Sequence, residues 1–213
     1  MKLTLSKYAV NELIIEFEVT SKIVYDSRYK RPVWPGGTSG VTIGLGYDIG
    51  FHTPAQLQKD WGQHLRPSEI QALSKCCGKI GIVCKSLLPI NVVIPFETAC
   101  EVFYRVSLPK YAKQAASIYD ELETLHPWEQ TAIVGLVYNR GASLKGERRT
   151  EMYQLISAIK NDNDSVMAAT IKQMKRLWGD DQKGLRLRRD KEAEFIAAPD
   201  HQIPPEDALI IEV

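Results

Sequence analysis

Three side chains in the N-terminal part of the chain could carry out acid–base chemistry together: Glu18, Thr42 and Asp48. On a helix turning about 100° per residue, Glu18 lies only about 40° from Ile14, which belongs to an apolar stripe. We therefore expect its carboxyl to be partly buried, an environment suited to a general acid. Hydrolysis of a glycosidic bond requires such an acid and a second carboxyl-type group across the bond. By position alone, however, a glutamate at a helix end is more often a surface charge.

Thr42 and Asp48 occupy even positions in residues 41–49, where apolar residues alternate with polar residues or glycine. This alternation predicts a strand with both side chains on one face. A straight strand would separate them by about 20 Å, so joint action requires a bend or turn at the glycines. Two interpretations stay open: a hairpin whose polar face meets water, and a bent strand that directs both groups toward Glu18.

The elements that would position these groups are a first helix and a glycine-rich segment. Apolar spacing predicts a helix at residues 7–18 with Ser6 as its N-cap. Residues 25–52 carry turn signals and the alternating run, which indicates a small β-lobe. From Thr53 onward the pattern is helical. The further helices are predicted at residues 54–65, 67–76, 95–106, 109–124, 127–140, 150–160, 164–178 and 184–197, with starts at Pro54, Pro95, Pro109 and Pro127.

These elements predict an α+β protein with one domain at residues 1–198, consisting of the small β-lobe after the first helix and a larger, mainly helical lobe at 53–198. A cleft between two such lobes is a usual place for a ligand. Residues 199–213 contain three prolines and are predicted to be an irregular tail.

Composition narrows the function classes. The chain has 213 residues and a formal net charge of +1, which argues against a nucleic-acid partner. No apolar run reaches the length of a membrane-spanning helix, so no membrane insertion is expected. The N-terminus lacks the apolar segment of a signal peptide. We expect a monomer that is made in the cytoplasm.

The four cysteines are Cys76, Cys77, Cys84 and Cys100. Two are adjacent and no histidine lies at ligand spacing, so no metal site is predicted. A disulfide between Cys84 and Cys76 or Cys77 is one alternative, and free, partly buried thiols are the favoured one.

The N-terminal motifs resemble those of phage-type lysozymes. The matching runs are Phe17-Glu18, Tyr25-Asp26 and Thr42-Ile43-Gly44-Leu45-Gly46. In that family, the catalytic aspartate follows the glutamate by nine residues, where this chain has Ser27, with Asp26 one residue earlier. The pesticin-like branch instead carries Glu, Thr and an Asp six residues beyond the Thr. That spacing is matched by Thr42 and Asp48, so the resemblance implies Glu18, Thr42 and Asp48 as catalytic residues, with Asp26 in reserve.

The resemblance extends to the helical region and covers about residues 7–197. Residues 136–141 are similar to the family's central helix, and Trp178 with Gly184-Leu185-Arg186-Leu187-Arg188-Arg189 is similar to its closing helix. The alternative for the basic run is a solvated helix face with ion pairs. Residues 66–94 and the tail have no recognisable counterpart.

This family resemblance implies a glycoside hydrolase, a muramidase that cleaves between N-acetylmuramic acid and N-acetylglucosamine. Glu18 would be the acid, while Asp48 with Thr42 would activate water for an inverting reaction with carboxyls about 6.5–9.5 Å apart; a separation near 5 Å would indicate retention. No metal or organic cofactor is implied. The proposed contacts to sugar or peptide stems are Tyr25, Tyr138, Asn139 and Arg140. The alternatives are a chitinase-type glycosidase, an inactive lysozyme-like binding module and an unrelated helical interaction protein.

The expected partner is the glycan strand of peptidoglycan. A cytoplasmic product must reach the periplasm or cell wall through a holin, a secretion machine or lysis, so an endolysin, a delivered antibacterial effector toxin and a bacteriocin domain are all compatible. An effector would also have an immunity protein that blocks its cleft.

Overall fold

The computed structural model describes residues 1–198 and 202–213 and is an α+β structure with two small sheets. Its α-helices are α1 (Lys7–Val10), α2 (Glu16–Val19), α3 (Lys22–Arg28), α4 (Pro54–Trp61), α5 (Pro67–Ser74), α6 (Phe96–Val102), α7 (Leu108–Ala116), α8 (Pro127–Arg140), α9 (Thr150–Lys160), α10 (Asp164–Gln173) and α11 (Lys183–Ile196). Its strands are β1 (Lys2–Ser6), β2 (Thr42–Ile43), β3 (Tyr47–Asp48) and β4 (Ala208–Glu212). Shorter π and 3₁₀ segments join several of them.

Two predicted helix starts are confirmed by their caps. The Ser6 hydroxyl accepts a hydrogen bond from the Ala9 N–H at the start of α1. The Thr53 hydroxyl does the same for the Gln56 N–H, with Pro54 at the first position of α4. Each cap satisfies a backbone donor that the first helical turn leaves open. A π segment, Asn11–Ile15, joins α1 to α2, so the first helical run ends at Val19.

The predicted helix start at Pro109 lies one residue from the start of α7, but Pro109 does not open a separate helix, because the helical run from α6 continues unbroken into α7. A π segment, Phe103–Ser107, follows α6, and α7 begins at Leu108. Proline has no N–H to donate, and the wider π turn before it changes which carbonyls need a donor. The predicted helix at 109–124 is also too long, because α7 ends at Ala116 and Leu122–Thr124 is a 3₁₀ turn.

The predicted β-lobe at 25–52 differs from the structure at its first residues and in its alternating run. Its first residues belong to α3, which the Ser21 hydroxyl caps. The alternating run at 41–49 is not one strand, because β2 and β3 pair as an antiparallel hairpin. Gly44 and Gly46 have φ angles of +57° and +74° in the turn, a conformation that glycine adopts at little cost. The structure has a hairpin, as in the first interpretation, but its polar residues Thr42 and Asp48 line a cavity with Glu18, as in the second.

The prediction of an irregular tail is wrong for its last residues. Residues 208–212 form β4, which pairs antiparallel with β1, and Ile211 is buried. The run Ala-Leu-Ile-Ile favours a strand once a partner is present. Residues 199–201 of that tail lie outside the described residues.

The chain divides into two units, described separately below. The terminal unit comprises Met1–Phe17 and Leu108–Val213, and the central unit comprises Glu18–Ser107. The central unit therefore extends well beyond the predicted lobe boundary at residue 52. Among the described residues, no helix has both the length and the apolar character that crossing a membrane requires.

The terminal unit is built around α8. Residues 131–137 are all buried, and the helix packs against α1, α7, α11 and β1. A Cβ at Gly135 would lie 3.3 Å from Ile14 Cγ1, so glycine permits this close approach of the two helices. A helix buried on nearly all sides is the expected centre of an all-round core.

A buried ion cluster on α11 also belongs to the terminal unit. Glu192 Oε1 accepts hydrogen bonds from Arg189 at 2.6 Å and from Arg188 at 3.3 Å, and all three side chains are buried. Arg188 also donates to the Gly135 carbonyl and lies over the Phe17 ring. The solvated-face alternative for this basic run is therefore wrong for these two arginines.

Candidate active site

The central unit contains a cavity of about 300 Å³ that brings the three predicted catalytic residues together. Glu18, Thr42 and Asp48 all line it, with Tyr29 and Ser39 among their neighbours. Glu18, Thr42 and Asp48 are each half-buried, as groups at the wall of an open cavity are. Every lining residue belongs to the central unit.

The hairpin places Thr42 directly opposite Asp48. On its other side, Thr42 exchanges both backbone hydrogen bonds with Val33, at 2.8 and 3.0 Å. Thr42 is therefore held from two sides, and its side chain shares a face with that of Asp48.

The Asp48 carboxylate is held by backbone amides. Its Oδ1 accepts from the Gly50 N–H at 2.9 Å, and the Gly40 N–H lies 3.1 Å from Oδ1 and 3.0 Å from Oδ2. A carboxylate has about four acceptor positions, so these two donors leave room for a bound water. The contacts fix the direction of the side chain at the cavity wall.

Position 40, whose N–H donates to the Asp48 carboxylate, requires glycine. A Cβ at Gly40 would lie 2.4 Å from Asp48 Oδ1 and 2.5 Å from Gly50 Cα. Both distances are below any normal contact, and one of them is to backbone that cannot swing aside. The turn signals within residues 25–52 do not predict this function of Gly40.

Polar contacts of Tyr47 and His52 support the hairpin. The Tyr47 hydroxyl donates to Asp60 Oδ2 at 2.8 Å, and the Tyr47 ring stacks on His52 with centroids 4.2 Å apart. His52 Nδ1 lies 2.7 Å from the Asp48 carbonyl oxygen. Burial, followed by the hydrogen bond to Asp60, raises the pKa of Tyr47 far above its usual range, so this hydroxyl stays protonated. Sequence patterns gave no sign of these positioning residues.

Glu18 lies near the end of the first helical run. α2 ends one residue later at Val19, and Thr20 has a φ of +62°, so the chain leaves the helical direction there. This placement agrees with the expected partial burial of Glu18. The glutamate therefore stands at a helix end, with Val19 also lining the cavity.

Two other predicted residues do not join the site. Asp26 lies on α3, pairs with Lys22 at 3.5 Å and is 45% exposed, and it is not among the residues lining the cavity. Tyr25 has no exposed surface, and its hydroxyl donates to the Ile94 carbonyl at 3.1 Å. Tyr25 is thus a core residue that packs edge-on against Phe96, and its prediction as a substrate contact is wrong, because its side chain is enclosed.

The remaining predicted contacts lie in the terminal unit. Asn139 and Arg140 line a second cavity of about 300 Å³, together with Arg148, Arg149 and Trp178. Tyr138 is not among its lining residues and packs against Tyr111 instead, so the structure does not bring it to either cavity.

The second cavity is strongly basic. The Arg140 guanidinium lies over the Trp178 ring, 5.2 Å from its centroid, and burial together with Arg149 lowers the pKa of Arg140 to about 10. Arg140 Nε and Arg149 Nη1 are buried and have no hydrogen-bond partner among the described residues. The three arginines that line this cavity make it suited to an anionic group such as a carboxylate.

The cysteines are free thiols, the favoured of the two alternatives. Cys76 and Cys84 are buried and donate weakly to the carbonyls of Leu87 and Lys79. Burial raises the pKa of the Cys76 thiol, which opposes thiolate chemistry there.

A scan against protein-family models and a search of curated proteins found no match to this chain. What the protein does must therefore be inferred from its residues and their geometry.

Proposed function

We propose that this protein is a lysozyme-like muramidase, related to the pesticin-like branch of phage-type lysozymes. It would hydrolyse the bond between N-acetylmuramic acid and N-acetylglucosamine in peptidoglycan. The observation that carries the proposal is that Glu18, Thr42 and Asp48, which are separated by up to 30 positions, line one cavity. Their types and grouping are those that glycoside hydrolysis requires.

In the proposed mechanism, Glu18 donates its proton to the glycosidic oxygen as the bond to the anomeric carbon breaks. Asp48 and Thr42 bind a water on the opposite face of the sugar. Asp48 takes a proton from this water as the water oxygen attacks the anomeric carbon, and the configuration at that carbon is inverted. The amides of Gly40 and Gly50 hold the Asp48 carboxylate in position for this step. The mechanism predicts carboxyls about 6.5–9.5 Å apart, with room for the water.

The second cavity is better suited to a ligand that carries carboxylates, such as a peptide-bearing fragment of peptidoglycan, than to uncharged chitin. Its arginines suit the lactyl and peptide carboxylates that chitin lacks. Asn139 adds a group that can both donate and accept hydrogen bonds. We expect Arg140→Gln to slow the digestion of peptidoglycan and to leave any hydrolysis of N-acetylglucosamine oligomers unchanged.

The test is digestion of purified peptidoglycan, with soluble products identified by mass spectrometry. The native protein should release disaccharide-peptides with a reducing N-acetylmuramic acid end. Glu18→Gln and Asp48→Asn should each lower the rate by at least about 100-fold. Asp26→Asn is the matched control, because this carboxylate of the same unit lies outside the cavity lining and its loss should leave the rate unchanged.

An inactive lysozyme-like binding module is the second candidate, and one observation favours it. The Asp48 carboxylate caps backbone amides, which is a structural task that needs no chemistry. Peptidoglycan that stays intact but cosediments with the protein would support this candidate. Release of N-acetylglucosamine oligomers from chitin, with peptidoglycan untouched, would instead support a chitinase-type glycosidase.

The proposed setting follows from the proposed substrate. An enzyme of this kind would act in the periplasm or cell wall as an endolysin or as a delivered antibacterial effector. An effector would require an immunity protein in its producer, and copurification from that producer would identify it.

A further inference from the structure

Three carboxylates that the proposed reaction does not use meet in the terminal unit. Glu129 lies in the first turn of α8, Asp162 lies between α9 and α10, and Asp164 is the first residue of α10. One oxygen of each lies within 4.8 Å of the others. We propose that these three carboxylates form a Ca²⁺ site that ties the start of α8 to the turn between α9 and α10.

The buried member of the cluster supplies an independent sign of a ligand. Glu129 is 5% exposed, and its Oε2 accepts a hydrogen bond from the His126 N–H at 2.8 Å. Its other oxygen, Oε1, is buried and meets no hydrogen-bond donor among the described residues. A buried carboxylate oxygen without a donor is costly, and a cation at this position would remove the cost.

The charge of the cluster is also uncompensated. Within the described part of the chain, neither Glu129 nor the two aspartates form an ion pair with a basic side chain. Burial, together with the charges of Asp164 and Asp162, raises the pKa of Glu129 to about 7. Three carboxylates that repel one another in this way have a high electrostatic affinity for a divalent cation.

The donor set favours Ca²⁺ over Mg²⁺. All donors are carboxylate oxygens, which are the ligands of hard cations. Ca²⁺ accepts several carboxylates in a flexible arrangement, whereas Mg²⁺ demands a near-ideal octahedron and usually binds only one or two carboxylates. Asp162 and Asp164 are exposed, so water can complete the six to eight positions that Ca²⁺ takes.

The experiment uses the full chain freed of metal with a chelator. Binding of CaCl₂ is measured by calorimetry, and the melting temperature is recorded with and without about 5 mM Ca²⁺. This concentration exceeds the dissociation constants of even weak Ca²⁺ sites in proteins. We expect one site and a rise in melting temperature of about 3 °C or more. Asp162→Asn and Asp164→Asn should each weaken binding at least tenfold and abolish the rise. Asp120→Asn removes an exposed carboxylate of the same unit and should change neither quantity.

A second probe needs no melting. Tb³⁺ replaces Ca²⁺ and luminesces when a nearby tryptophan is excited, and Trp128 precedes Glu129 in the chain. The signal should appear with the native protein, fall when Ca²⁺ is added, and be absent in Asp164→Asn. Absence of Ca²⁺ binding up to about 5 mM, or an equal rise in melting temperature in Asp164→Asn, would overturn the proposal. A melting temperature that responds to pH but not to Ca²⁺ would also overturn it, because a shared proton would then hold Glu129 and Asp164 together.

Discussion

Thr42 and Asp48 are direct cross-strand partners in the β2–β3 hairpin. Residues opposed in this way have Cβ atoms about 4.5–5.5 Å apart, a quarter of the distance that a straight strand would impose. A tight turn at the glycines therefore brings together two residues that are six positions apart in the chain. The hydroxyl and the carboxylate therefore belong to one small surface at the cavity wall.

Replacing Asp48 should separate its catalytic contribution from its structural one. Asp48→Asn keeps one oxygen acceptor for the amides of Gly40 and Gly50, so the fold should persist while activity falls. Asp48→Ala leaves those amides without a partner and should cost about 1–3 kcal/mol of stability in addition. Urea unfolding and peptidoglycan digestion of both variants measure the two effects. Full activity in Asp48→Asn would remove this residue from the mechanism.

Gly40→Ala should damage the site without touching a catalytic side chain. Its Cβ would collide with Asp48 Oδ1 and with the backbone of Gly50, so the carboxylate must move. We expect a loss of about 1–3 kcal/mol in stability and at least about a tenfold loss of activity. Gly184→Ala is the control, because a Cβ there meets nothing within 4 Å and alanine is well tolerated in the first turn of α11. Similar behaviour of the two variants would contradict the close packing at Gly40.

Cys100 should be an unusually slow thiol. Burial, followed by the charge of Glu97, raises its pKa from 9.0 to about 11. At pH 8 the thiolate fraction is then lowered about 100-fold. The rate of alkylation, followed by mass spectrometry, should reach half of its maximum near pH 11 in the folded protein and near pH 9.0 in urea. Glu97→Gln should increase the rate at pH 8, because removing a negative charge lowers the thiol pKa; an unchanged rate would exclude this contribution.

Glu192 should be among the most costly residues to neutralise. Its carboxylate accepts from both Arg188 and Arg189 in a buried cluster, so Glu192→Gln leaves buried cations without a counter-charge. We expect a loss of about 3–5 kcal/mol in the free energy of unfolding. Glu194→Gln, on the exposed side of the same helix, should change it by less than about 0.5 kcal/mol. Equal losses in urea unfolding would show that burial of the pair contributes nothing.

Features set by neighbouring residues were predictable from the sequence. The starts of α1, α4 and α8 follow from a capping side chain or a proline, whose effects are confined to one helical turn. The grouping of Glu18 with Thr42 and Asp48 came from spacing and family resemblance, and the cavity brings them together.

Features that depend on contacts between distant residues were not predictable. Tyr25 is wrongly predicted as a substrate contact because nothing in the neighbouring sequence shows that its ring is enclosed. The pairing of β1 with β4 joins residues about 200 positions apart, and the acidic cluster joins Glu129 to a turn more than 30 positions later. The Pro109 error has a different cause, since a π segment has no simple sequence signal.

The register of β1 and β4 sets how the terminal unit responds to mechanical force. Lys2 lies opposite Glu212 and Ser6 opposite Ala208, and the Val213 N–H donates to the Met1 carbonyl. The two ends of this chain therefore leave the sheet side by side. A force that pulls the two ends apart acts across the strands, so it breaks the backbone hydrogen bonds in succession from the terminal pair inward. It does not load all of them at the same time, as a force along the strands would. The buried side chains of Leu3, Leu5 and Ile211 stabilise β1 and β4 against thermal fraying. The same two strands should nevertheless separate at a low pulling force.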